Sequence, residues 1–182
     1  FAGTIPEFIE AKLEELAARH TRQGGQRYVL EPNVKEGKGG LRDLQTLYWI
    51  AKYIHRVDRA VELVDLGVFT GDEHLAFWQA EDFLWAVRSH LHLIAGRPSD
   101  VLSFDMQVEV ARRMGYHDTT ARRAVEYFMQ DYFRHATRVG ELTRVFLTEL
   151  ETRHVRTAPF LGRIFRRRRK MRPGFVDQQG RL

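Results

Sequence analysis

The chain has 182 residues, a formal net charge of +5 and an ordinary hydrophobic content of 43%. That is enough for one packed domain and too apolar for disorder. With no cysteine there is no disulfide framework, thiolate metal site or thiol nucleophile, and no apolar run is long enough to span a membrane.

The charge is unevenly placed. Residues 153–182 hold ten Lys/Arg and one Asp, a net +9, and residues 1–152 hold nineteen Lys/Arg and twenty-three Asp/Glu, a net −4. The body is mildly acidic, so a general nucleic-acid surface is not expected there. No signal peptide is evident, and the chain opens on Phe1 and not on Met, which suggests a fragment or a start that lies further upstream.

In chain order, Thr4-x-x-Glu7 reads as a capping box for a helix running to Arg22 and stopped by Gly24-Gly25. Tyr28-Val29-Leu30 reads as a short strand ended by Pro32. Helical spacing begins at Leu44, with Leu47, Tyr48, Ala51 and Ile54 following. A short helix is expected from Asp58 to Leu66. Thr70-x-x-Glu73 is a second capping box, opening a helix with Phe77, Ala80, Leu84, Val87, Leu91 and Ile94 at alternating steps of three and four. Asp105–Met114 reads as a further helix. The last starts near Asp118, with Val125, Phe128, Tyr132, His135, Val139, Leu142 and Phe146 on one seam. The fold class is mostly α: a helical bundle with one short strand near the N-terminus. Arg166–Lys170 is a run of five cations in an aperiodic tail that reads as a linker.

The segment Glu31-Pro32-Asn33-Val34-Lys35-Glu36-Gly37-Lys38-Gly39-Gly40-Leu41-Arg42-Asp43-Leu44-Gln45 carries the most chemistry. Its glycines permit close backbone approach, and Lys35, Lys38, Gly39, Gly40 and Arg42 are candidates for contacting a nucleotide or phosphate. The bland alternative is a solvated connection, and no G-K-[ST] makes it a Walker loop. Glu31 is a candidate metal carboxylate, although no Asp-x-Asp pair accompanies it. His117-Asp118 looks like half of a metal-dependent phosphohydrolase pair, but Asp118 is better placed to cap a helix. His135 reads as a core histidine, and His90 and His92 point to different faces.

Three stretches resemble the bacterial bifunctional PII uridylyltransferase/uridylyl-removing enzymes: Glu31–Gln45, Leu91–Arg97 with Asp100–Gln107, and Val110–Tyr116 followed by Met129-x-x-Tyr132-Phe133. Glutamine-synthetase adenylyltransferases are more distant. The resemblance implies that residues 1–42 end a polymerase-β-like nucleotidyltransferase domain, 43–152 form a helical bundle domain, and 153–182 lead toward an HD hydrolase domain. It implies a bacterial cytoplasmic enzyme using Mg²⁺ that joins UMP from UTP to a tyrosine of the PII signalling protein, with glutamine as effector in nitrogen regulation. Glu31 would match the third metal carboxylate. The fragment alone, lacking the paired aspartates and the HD set, is expected to be inactive. The alternative is a helical nucleic-acid-binding or protein-interaction module using the basic tail.

Overall fold

The structure is a computed structural model that describes residues 5–24 and 29–154. Among the described residues six helices follow in order: α1 (Ile5–Arg22), α2 (Leu41–His55), α3 (Glu62–Asp65), α4 (Gly71–Ala95), α5 (Phe104–Arg113) and α6 (Ala124–His154). α6 is the axis, with α2, α4 and α5 packed around it and α1 laid on α2.

The α4–α6 seam follows from side-chain spacing. Phe77, Ala80, Leu84, Val87 and Leu91 are buried on α4, and Phe128, Tyr132, Ala136, Val139, Leu142 and Phe146 on α6. Steps of three and four keep each set on one face. α4 starts at the capping box expected for it: the Thr70 hydroxyl accepts the Glu73 N–H at 3.2 Å, and Glu73 accepts the Thr70 N–H at 2.9 Å. α6 starts later than expected. Residues 118–123 form a turn whose Thr119 hydroxyl accepts the Ala121 and Arg122 N–H groups, and the Asp118 carboxylate reaches across it to take the Ala124 N–H at 2.7 Å. Asp118 is therefore a capping residue, acting at a distance.

The short strand near the N-terminus is not seen. Val29 and Leu30 lie outside regular structure, and Tyr28 lies outside the described residues. The segment is nonetheless tied across the fold. The Leu30 carbonyl accepts from Gln107 Nε2 at 2.7 Å, the Pro32 carbonyl takes the Leu102 N–H at 2.9 Å, and Asn33 forms an isolated antiparallel bridge with Val101. Apolar, β-prone residues favour extended backbone, but here the spatial neighbour is a connection and a helix start, which offer no ladder to extend. The expected short helix at 58–66 shrinks to Glu62–Asp65. The Thr4 capping residue and the Arg166–Lys170 run lie outside the described residues. One hydrophobic core joins Ile9, Leu13 and Val34 to the α2, α4 and α6 residues.

Leu84 is fully buried and Leu93, on the same helix, is 69% exposed. Leu84→Ala is expected to cost roughly 2–5 kcal/mol, the usual loss of burial plus cavity, and Leu93→Ala about 0.5 kcal/mol or less. Thermal or urea melts of the two variants check this ordering.

Candidate functional site: a cationic loop locked by a buried carboxylate

The loop between Glu31 and α2 is built around Asp43, a buried acid in the first turn of α2. Its carboxylate is the negative charge that a helix N-terminus favours. Oδ2 accepts the Gly39 N–H at 2.8 Å, a close relative of the capping box in which the third helical residue reaches back to the chain before the helix. Across the interface, the last turn of α1 supplies two basic side chains where a helix C-terminus favours them. Arg19 Nη2 donates to Asp43 Oδ1 at 2.8 Å. His20 Nε2 lies 2.8 and 2.9 Å from the two carboxylate oxygens, so that nitrogen carries the hydrogen, because a carboxylate only accepts.

Burial alone would raise the Asp43 pKa; His20, Arg19 and the Gly39 N–H outweigh it and hold the carboxyl below its ordinary value of 3.8. Charge-assisted bonds of this kind are the strong ones in a low-dielectric interior.

The glycines serve the same lock. Gly39 has φ +81°, and a Cβ there would collide with the Ala136 carbonyl of α6. A Cβ on Gly40 would stand 2.6 Å from the Val34 carbonyl. The loop thus sits directly on the backbone of α6, which only residues without side chains allow. The Gly39 N–H is engaged by Asp43 and the Gly40 N–H by the Gly37 carbonyl.

The expected charged residues come together around Glu36. Arg42 Nε lies 3.6 Å, Lys35 Nζ 3.8 Å and Arg19 Nε 3.9 Å from its carboxylate. Lys35 also lies 3.9 Å from Asp100, which accepts from Arg88 Nε at 2.7 Å. Burial works to raise the Asp100 carboxyl, but Arg88, His92 and Lys35 bring it below the ordinary range. Lys38 is half-buried on the same loop. Glu31 stands apart from this cluster: its Oε1 accepts the Phe104 N–H at 3.0 Å, at the start of α5. Among the described residues no three His, Cys, Asp or Glu side chains are grouped as a metal would require.

Arg19 and His20 escaped the sequence reading. They precede Asp43 by more than twenty residues and look like ordinary basic residues closing a helix. Asp43 lay inside the quoted motif, but nothing in its neighbours announces its burial. His135 is half-buried and stacks on Phe83 at 4.3 Å; desolvation lowers its pKa. It lines a groove of about 610 Å³ between α4 and α6 that includes no residue of the loop.

A family model described as GlnD PII-uridylyltransferase matches residues 7–147, and the chain belongs to that family. It is similar to a bifunctional uridylyltransferase/uridylyl-removing enzyme of Ruegeria pomeroyi, 64% identical over 182 residues, all of this chain and 20% of the relative. A protein of the same name from Novosphingobium aromaticivorans is 53% identical over 176 residues, 96% of this chain and 19% of the relative. The chain spans about a fifth of the length of these curated relatives. No solved structure matches.

Removing the Asp43 charge leaves the buried Arg19 guanidinium without its hydrogen-bonded counter-ion, with only the Glu36 carboxylate 3.9 Å from its Nε. Asp43→Asn is therefore expected to destabilise the fold by roughly 3–5 kcal/mol. The pH dependence has a definite sign. The folded Asp43 pKa is depressed, so its contribution is fully present above the unfolded value and is lost as pH falls through the folded one. Urea denaturation between pH 6 and pH 2 should show the wild type losing stability on acidification and Asp43→Asn losing less.

Proposed function

We propose that this chain is the central part of a bifunctional enzyme that transfers UMP from UTP to a tyrosine of the PII signalling protein, with pyrophosphate released and glutamine status setting the direction. The observation that carries this reading is the gathering of Arg19 from α1, Arg42 from α2 and Lys35 from the loop around Glu36, beside the point where Asp43 ties the loop down. Side chains fixed in place pay little reorganisation when they meet charge developing on a phosphate. Lys35, Lys38 and Arg42 are the phosphate-facing cations in this account. Gly39 and Gly40 contribute shape, since their N–H groups are used within the loop.

Glu31 is the chain's carboxylate for Mg²⁺. It is exposed and oriented by the Phe104 N–H, which suits a single ligand. The described residues do not make a metal centre by themselves, so the remaining ligands would come from elsewhere in the full-length enzyme. Mg²⁺ there would neutralise charge on the reacting phosphate. No helix among the described residues is long and apolar enough to cross a membrane, which is compatible with work in the bacterial cytoplasm.

In the full-length enzyme, Glu31→Gln should lower uridylyl transfer by orders of magnitude and spare uridylyl removal. Transfer from labelled UTP to PII and release of UMP from modified PII are the two assays. Equal loss of both would point to damaged folding, and no loss would leave Glu31 with its α5 contact alone. The 182-residue chain, incubated with labelled UTP, Mg²⁺ and PII, should transfer no label above a protein-free control.

A further inference from the structure

The outward face of α2 continues the cationic loop with groups of a different chemistry. Arg42, Gln45 and Trp49 follow one another at steps of three and four and share one side of the helix. Trp49 is 43% exposed although an indole has much to gain from burial. A single exposed aromatic needs no explanation. This one has a cation beside it: the Arg42 guanidinium lies 5.9 Å from its ring centre. Arg42 Nη1 also donates to Gln45 Oε1 at 3.1 Å. That bond turns the oxygen of the Gln45 carboxamide toward Arg42 and leaves its two N–H donors at the other end.

Seven residues of helix separate Arg42 from Trp49 along the backbone, but the Arg42 side chain closes that distance and brings its guanidinium beside the indole. An aromatic platform with a cation next to it is the pairing that single nucleotides and single strands use, base on ring and phosphate on charge.

We propose that the outward face of α2 is the nucleoside end of the site: a pyrimidine base stacks on Trp49, Gln45 donates to a base carbonyl, and Arg42 and Lys35 take the phosphates. The proposal rests on reading the chain as part of a UTP-using enzyme and adds the residues that select the base. Stacking tolerates any base. Gln45 supplies the discrimination, because uracil presents a carbonyl acceptor where cytosine presents an amino donor, and an N–H donor suits only the first.

The test uses full-length enzyme with UTP and CTP, read by KM in the transfer assay and by equilibrium dialysis of labelled nucleotide. Trp49→Ala should weaken UTP and CTP alike by roughly tenfold, with the loss in KM for nucleotide, and Trp49→Phe should recover most of it. Gln45→Ala should narrow the preference for UTP over CTP. Trp49→Ala leaving nucleotide affinity unchanged, or raising only the KM for PII, would overturn the proposal. If Lys35→Ala weakens UTP binding while Trp49→Ala does not, this proposal alone fails. A wild-type enzyme that binds no UTP would defeat the underlying reading together with it.

Discussion

A single buried carboxylate organises the N-terminal third of this fold. Asp43 receives Arg19 and His20 from α1, the Gly39 N–H from the loop, and sits in the first turn of α2. Three segments that share no continuous secondary structure are fixed by one charge. Isolating that charge from water is costly, and what offsets the cost is that all three partners are charged or oriented donors with good geometry. The arrangement also aligns two helix ends with opposite charge, the basic end of α1 against the acidic start of α2.

Everything proposed for the site inherits its geometry from this lock. The loop lies flush on α6, where Gly39 meets the Ala136 carbonyl with no room for a side chain between them. On its other side the chain is tied at Asn33, whose Oδ1 accepts the Lys35 and Glu36 N–H groups, and at Val34, whose N–H reaches the Asp100 carbonyl at 2.8 Å. The backbones of Lys35 and Glu36 are thereby held in place, and the charges of Lys35 and Arg42 stand 3.8 and 3.6 Å from the Glu36 carboxylate.

The helical body was legible in the sequence wherever local rules and packing agreed. The Thr70–Glu73 capping box and the seam residues Leu84, Val87, Leu91, Phe128, Tyr132, Val139 and Leu142 all stand where spacing placed them. What failed to show was set by partners distant in sequence. Tyr28–Leu30 had strand-like residues, but Leu30 meets Gln107 across 77 residues and finds a side chain there instead of a strand. The glycines of the loop suggested a ligand approaching the backbone; the nearest approach in the structure is α6 itself. The Arg19–Asp43 pair joins residues 24 apart, with no periodicity or motif to connect them. Family resemblance reached the family to which the chain belongs, and the packing that holds its residues in place came only from the fold.

The most direct test of the lock is native-state hydrogen exchange at the Gly39 amide, whose only role in this account is to donate to Asp43. At neutral pH it should exchange slowly. In Asp43→Asn its protection should collapse toward that of an open loop, while amides within the α4–α6 seam, such as those of Leu84 and Val139, stay protected well beyond it. A Gly39 amide that exchanges at the same rate in both proteins would contradict the claim that Asp43 holds the loop.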